Sequence, residues 1–283
     1  MIIDVHTHIF PDEIRFNREK FFKGEPEFKS IYENSNAKMV TAEELIAVMD
    51  ENQVDKAVVF GFPWNTVEFA SLNNDYIIDV VKKYPDRLIG FSCINPLIFN
   101  AEKEVERCLA NGLKGVGEIA FYLNDIDEAV IKGLKGVMNL CRESNAVFML
   151  HTNEPVGHEY PGKADMKLKG IYNFIKSYQS NKIILAHMGG GIFFYKIMKK
   201  EVDSVLSNVY YDTAAVPFLY KKEFYNLAKA FNIEDKILFG SDYPLISPAR
   251  YFKEMEQAVE DKSFLNKIKG GNAQLLFEIK QMT

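Results

Sequence analysis

Along this chain, short runs of apolar, β-branched and aromatic residues alternate with longer segments whose apolar residues recur at helical spacing. Eight of the short runs read as strands: residues 1–5, 56–60, 88–93, 114–119, 146–150, 182–186, 208–211 and 236–239. They are apolar nearly throughout rather than alternating, as in strands covered on both faces. From the second onward they recur about every 30 residues, the length of one strand–helix–strand unit. Helices are predicted between them at 41–52, 73–83, 102–110, 127–143, 166–178, 195–206, 219–230 and 250–260. Thr41 and Glu44 have the spacing of a capping box, and Pro85 stops the helix before it.

Eight strands with interleaved helices predict an α/β fold, a (β/α)8 TIM barrel forming a single domain over 1–283. An open doubly wound sheet would place a glycine-rich phosphate turn after the first strand. His6-Thr7-His8 stands there instead. The stretch 9–40 is too long for an ordinary strand-to-helix connection. It reads as an insertion covering the barrel mouth, with a peripheral flap as the alternative.

Composition narrows the function classes. At 283 residues and 47% hydrophobic, the chain has apolar material for one large core. Lys and Arg total 34 against 39 for Asp and Glu, and a net charge of −5 gives no overall pull toward nucleic acid. Cys93, Cys108 and Cys141 have no CxxC spacing, which favours a reducing compartment. The opening Met1-Ile2-Ile3-Asp4 has no basic leader, and no apolar run reaches the roughly 18 residues of a membrane span. The expectation is a cytoplasmic protein with a small-molecule substrate, no nucleic-acid or membrane partner, and a homodimer as a compatible state.

Chemistry in such a barrel sits at the carboxyl ends of the strands. Four of the five histidines fall there: His6 and His8 on the first strand, His151 after the fifth and His187 after the sixth. In a strand, residues i and i+2 share a face, so His6 and His8 can lean onto one cation. After the eighth strand, Gly240-Ser241-Asp242-Tyr243-Pro244 turns at the mouth. Asp242 is either a ligand or a turn acid. Glu118, inside the apolar fourth strand, is costly to desolvate unless paired, so it either meets a metal or bridges two metals, or forms a salt bridge. Asp212, ending the seventh strand, either holds a ligand histidine or caps the following turn.

These residues resemble the amidohydrolase superfamily: His6-x-His8, His151, His187 and Asp242 follow its ordered motif set across the whole chain. Ala186-His187-Met188-Gly189-Gly190 and Gly240-Ser241-Asp242-Tyr243-Pro244 are similar to the amidohydrolase-2 branch, metal-dependent enzymes of the (β/α)8 type. No lysine ends the fourth strand to serve as a carbamylated bridge. Gly117-Glu118-Ile119 stands there, similar to the TatD-like motif whose acid contacts metal.

The resemblance implies a divalent ion, Zn2+ by its imidazole-rich set, held by His6, His8, His151 and Asp242. One ion is expected, with a Glu118-bridged pair as the alternative. Asp242 would take a proton from activated water, and His187 would stabilise an oxyanion or orient that water. Hydrolysis of a C–N, lactone or ester bond is the leading expectation. The alternative is non-oxidative decarboxylation of an aromatic or unsaturated acid, although several such enzymes carry Glu-x-His in place of the first pair. Residues near the mouth expected to contact substrate are Trp64, Tyr122, Asn153 and His158, with Phe62 and Tyr160 beside them. Arg15 and Arg250 are the candidates to receive a carboxylate.

Overall fold

A computed structural model describes residues 1–122 and 125–279. Eight parallel strands follow one another around the sheet in chain order: β1 (Ile3–His8), β2 (Lys56–Phe60), β3 (Leu88–Ser92), β4 (Gly115–Ile119), β5 (Val147–Leu150), β6 (Lys182–Leu185), β7 (Val209–Asp212) and β8 (Ile237–Leu238). The order without crossover, with helices on the outside, is that of the (β/α)8 barrel. Every strand buries most of its apolar residues, as continuous apolar runs require when one face packs inside the barrel and the other meets helices.

Closure falls to the segment after β8. Val5 N donates to Phe239 O at 2.8 Å, Asp242 N to His6 O at 3.0 Å, and His8 N to Tyr243 O at 2.8 Å. β8 is short because Phe239 N turns outward to Ile268 O and Asp242 takes φ +59°, which breaks the regular ladder. That irregular seam sets Asp242 beside β1. β1 itself runs further than the sequence suggests, so His6 and His8 lie within it.

The 9–40 insertion carries two short α-helices, Asp12–Phe16 and Pro26–Tyr32, with a 3-10 turn, Arg18–Phe21, between them. Phe28 packs on Trp64 and Phe62, with ring centroids 4.3 and 5.2 Å apart, so the insertion sits on the segment leaving β2. Fully buried Glu25 accepts from Asn65 N at 2.8 Å and from the Thr66 hydroxyl. Its carboxylate therefore lies at the start of helix Val67–Lys83, where the helix dipole favours an anion. No helix among the described residues is long and apolar enough to cross a membrane.

Candidate metal centre

Strand alternation puts His6 and His8 on one side of β1 and Thr7 on the other, where its hydroxyl donates to Val58 O at 2.7 Å. The His6 and His8 Nε2 atoms approach to 3.3 Å. Each ring is held from behind through Nδ1, His6 by Asp212 Oδ2 at 2.9 Å and His8 by Gly61 O at 3.1 Å. With Nδ1–H donating to these oxygens, the Nε2 lone pairs are presented to the mouth. Gly240 permits this approach: a Cβ there would lie 2.9 Å from His6 Cβ and 3.2 Å from Asp212 Cβ.

Asp212 at the end of β7 does both things its sequence position suggested. Oδ2 holds His6, while Oδ1 accepts from His187 N and Ala214 N, each at 3.0 Å. After β6 the chain passes His187, Met188 and three glycines at positive φ. This left-handed run turns His187 inward, where Nδ1 is fixed on Ala214 O at 2.9 Å.

Two carboxylates complete the arrangement. Asp242 Oδ1 lies 3.6 Å from His6 Nε2 and 3.5 Å from His8 Nε2. Glu118 Oε2 lies 3.7 Å from His6 Nε2 and 3.8 Å from His8 Nε2. Glu118 Oε1 lies 2.9 Å from His151 Nδ1 and 3.4 Å from His187 Nε2. His151 also places Nε2 on Gly162 O at 3.0 Å, so both its nitrogens have protein partners. Donor atoms fall into three overlapping sets, each within 4.8 Å: His6, His8 and Glu118; His6, His187 and Asp242; Glu118, His151 and His187.

Among the described residues, no lysine or arginine pairs with Glu118 or Asp242. Burial alone would lower the imidazole pKa values, yet Glu118 and its fellow carboxylates raise His6 to about 10 and His187 to about 9. Burial likewise opposes ionisation of Asp242, but the facing histidines bring it down to about 2. The cage therefore draws positive charge inward, as protons or as a cation. Rear-anchored imidazoles with carboxylates between them fit a divalent ion.

The other expected contacts are placed as follows. Tyr122 packs on His151 at 5.1 Å and stacks on Phe62 at 6.4 Å. Trp64 is fully buried, with its indole N–H on Asn73 Oδ1 at 3.2 Å. Asn153 ties its own loop together, accepting from Ala164 N and donating to Glu154 O. His158 is exposed beside Tyr160. Arg15 is engaged by Asp12, Glu44 and Met39 O, and Arg250 by Glu254, Pro217 O and the Phe218 ring.

One residue that sequence reasoning passed over is Tyr32 in the insertion. Its ring meets Phe10 at 5.5 Å and Phe62 at 6.2 Å. Burial raises its phenol pKa, and the negative charges of Asp242 and Glu118 raise it further. Pro26 opening a helix with Phe28 and Tyr32 four residues apart on one face was the available signal.

Comparison with known proteins places this geometry. No curated protein matches the sequence. Among solved structures, 5-carboxyvanillate decarboxylase from Sphingomonas paucimobilis superposes with TM-score 0.72 at 18% identity, over 99% of this chain and 99% of the other. A dihydroxybenzoic acid decarboxylase from Polaromonas sp. JS666, solved with manganese and 2-nitroresorcinol, gives 0.70 at 19%, over 99% and 98%. A protein from Acinetobacter baumannii assigned as a 2-pyrone-4,6-dicarboxylic acid hydrolase gives 0.66 at 18%, over 98% and 99%. At such identities the likeness is one of fold. The family model for Amidohydrolase (Amidohydro_2) matches residues 3–279, a span that includes every donor of the cage. The chain belongs to the amidohydrolase-2 family.

Proposed function

We propose that this protein is a divalent-metal-dependent enzyme that removes carbon dioxide, without oxidation, from a small aromatic or unsaturated carboxylic acid. The observation that carries the reading is the cage itself: four imidazoles and two carboxylates, buried or half-buried together and, among the described residues, with no ammonium or guanidinium paired to them, beside an aromatic wall. His6, His8 and Asp242 are proposed as ligands, with His151 and Glu118 completing the set for one ion or two. When bound, a divalent ion supplies positive charge that neutralises the carboxylates and polarises a substrate oxygen. The imidazole-rich set suits zinc, while the solved dihydroxybenzoic acid decarboxylase holds manganese, so metal analysis decides between them.

His187 is the candidate proton carrier. With Nδ1 fixed on Ala214 O, only Nε2 faces the cage, and the Glu118 and Asp242 carboxylates favour a proton on it when no cation answers their charge. That is the state needed to protonate a carbon losing its carboxylate. Phe62 and Tyr122, nearly parallel at 13°, suit a flat substrate.

Hydrolysis is the second reading, favoured by Asp242. Its carboxylate is ionised and partly open at the mouth, so it can take a proton from water. One experiment separates the two. Metal-loaded protein is given hydroxybenzoates, unsaturated diacids, lactones and cyclic amides in 18O-water. Carbon dioxide release without label in the product supports decarboxylation, and label in a ring-opened or cleaved product replaces it with hydrolysis. Protein that stays folded but retains no divalent ion defeats both.

A further inference from the structure

Tyr251, in helix Pro248–Ala258, is fully buried with its ring against Phe239 at 5.6 Å. Its hydroxyl meets two backbone groups, accepting from Ala215 N at 2.9 Å and donating to Ser241 O at 2.8 Å. Each belongs to a peptide group whose other polar atom is bonded to a residue of the cage. The peptide joining Ala214 to Ala215 carries the oxygen that fixes His187 Nδ1 at 2.9 Å. The peptide joining Ser241 to Asp242 carries the N–H that donates to His6 O at 3.0 Å.

These four bonds run one way. His187 Nδ1–H donates to Ala214 O, Ala215 N–H to the Tyr251 oxygen, the Tyr251 O–H to Ser241 O, and Asp242 N–H to His6 O. A backbone N–H can only donate and a carbonyl can only accept, so the direction at Tyr251 is fixed. Bonds aligned head to tail polarise one another, and a chain that begins on Ala214 O favours an Nδ1–H donor at His187, leaving Nε2 toward the cage. Ala215 and Asp242, which follow the two bonded peptides, take φ +55° and +59°, where non-glycine residues are uncommon. Such turns persist where surrounding contacts over-determine them, and Tyr251 contacts both. Burial of a phenol does not by itself bring this about: Tyr211, also buried, has a hydroxyl without a partner among the described residues.

Resting on the proposed role of His187 as proton carrier, we infer that Tyr251 is a positioning residue that fixes His187 and Asp242 relative to each other from outside the cage. It acts through the two peptides and touches no reacting group. Thr213 Oγ1 joins the same two strand ends through Gly240 N and O, each at 3.0 Å, so the seam of the barrel does not hang on Tyr251 alone. What hangs on Tyr251 is the setting of the peptides beyond that link, and with it the orientation of the imidazole.

The test is Tyr251→Phe, which keeps the ring and removes the hydroxyl, with Tyr211→Phe as the matched loss of a buried hydroxyl. Proton and 15N NMR of histidine-labelled protein, recorded with zinc and with EDTA, should show His187 protonated at Nδ1 in wild type, the signal being assigned by its absence from His187→Asn. In Tyr251→Phe that proton should exchange with water about fivefold or more faster, and in Tyr211→Phe at the wild-type rate. On whichever substrate is turned over, kcat of Tyr251→Phe should fall about 10- to 100-fold, with KM within about twofold and zinc content unchanged. A wild-type His187 without a proton on Nδ1 overturns the inference, and needs no variant to fold. So does an exchange rate unchanged in Tyr251→Phe, a rise in KM at constant kcat, or an equal loss in Tyr211→Phe. A wild type that retains no zinc defeats the metal-dependent reading instead, while the NMR readout in EDTA still decides for or against Tyr251.

Discussion

Two buried glutamates, Glu104 and Glu118, have nearly the same exposure and opposite surroundings. Glu104, in helix Ala101–Ala110, is held by Arg107 through Nη2 at 2.8 Å and Nε at 2.9 Å, by Asn74 Nδ2 at 2.9 Å and by Ser71 Oγ at 3.1 Å. Burial acts to raise its pKa, and the Arg107 and Asn74 hydrogen bonds more than offset that, leaving it lowered. These donors are permanent, so its charge is answered by the protein itself. Among the described residues, the Glu118 carboxylate pairs only with imidazoles, which donate or accept according to their protonation. A buried acid satisfied by an arginine builds structure, whereas one surrounded by histidines leaves its charge open to a proton or a cation.

The largest expected effect breaks the comparison at the cage. Replacing His6 by Ala should abolish metal retention and reduce turnover to background. Wild-type protein should also melt at lower temperature in chelator, because an ion at a hundred times its Kd stabilises by about 2.7 kcal/mol. The chelator-dependent drop should vanish in His6→Ala and persist undiminished in Glu104→Gln. Melting curves with and without EDTA decide this, and equal drops in all three proteins would remove the distinction between the two glutamates.

Next in size is His187→Asn. As a proton carrier, His187 should contribute about 10²- to 10⁴-fold to turnover, with metal content unchanged. Metal lost in parallel with turnover would make His187 a ligand, in keeping with its place among the donors around Glu118 and His151. Asp212→Asn should do less. Since Asp212 acts on the site by orienting His6 and the turn at His187, its loss should weaken metal affinity about 10- to 100-fold, measured by competition with a chromogenic chelator.

The contrast also explains what sequence alone could reveal. Strands and strand-end histidines were readable because apolar runs and the His6-x-His8 spacing are local signals. Helix Val67–Lys83 begins six residues before the expected 73, and the acid at its start, Glu25, lies some forty residues away in the insertion. The expected 195–206 helix is replaced by a turn through His187–Ile197 and a short helix Glu201–Val205. Left-handed backbone at residues 188–191 uses that chain to aim His187 instead of forming a regular helix. Near the site, the structure brings together the residues that carry a local motif, whereas Tyr32 meets Phe10 and Phe62 only through the tertiary packing of the insertion. Arg15 and Arg250 looked available because their partners across the fold, Glu44 and Pro217 O, leave no trace in the spacing.

The smallest effect sharpens the comparison from the structural side. Glu104→Gln keeps the size of the side chain and its contact with Asn74 but removes the charge that Arg107 faces. Because the Arg107 end is part-exposed and also pairs with Asp75, the loss should lie near the low end for a charged hydrogen bond, about 1.5 kcal/mol, with turnover per folded molecule unchanged. Its pH dependence follows from the direction of the shift. A carboxyl whose folded pKa lies below its unfolded value adds stability above the unfolded value and loses it as pH falls through the folded one. Urea unfolding of wild type and variant should therefore differ most at neutral pH, and the gap should close on acidification below the ordinary glutamate pKa of about 4.3. A gap that stays constant through that acidification would mean that Glu104 acts through shape alone, and its charge would no longer distinguish it from Glu118.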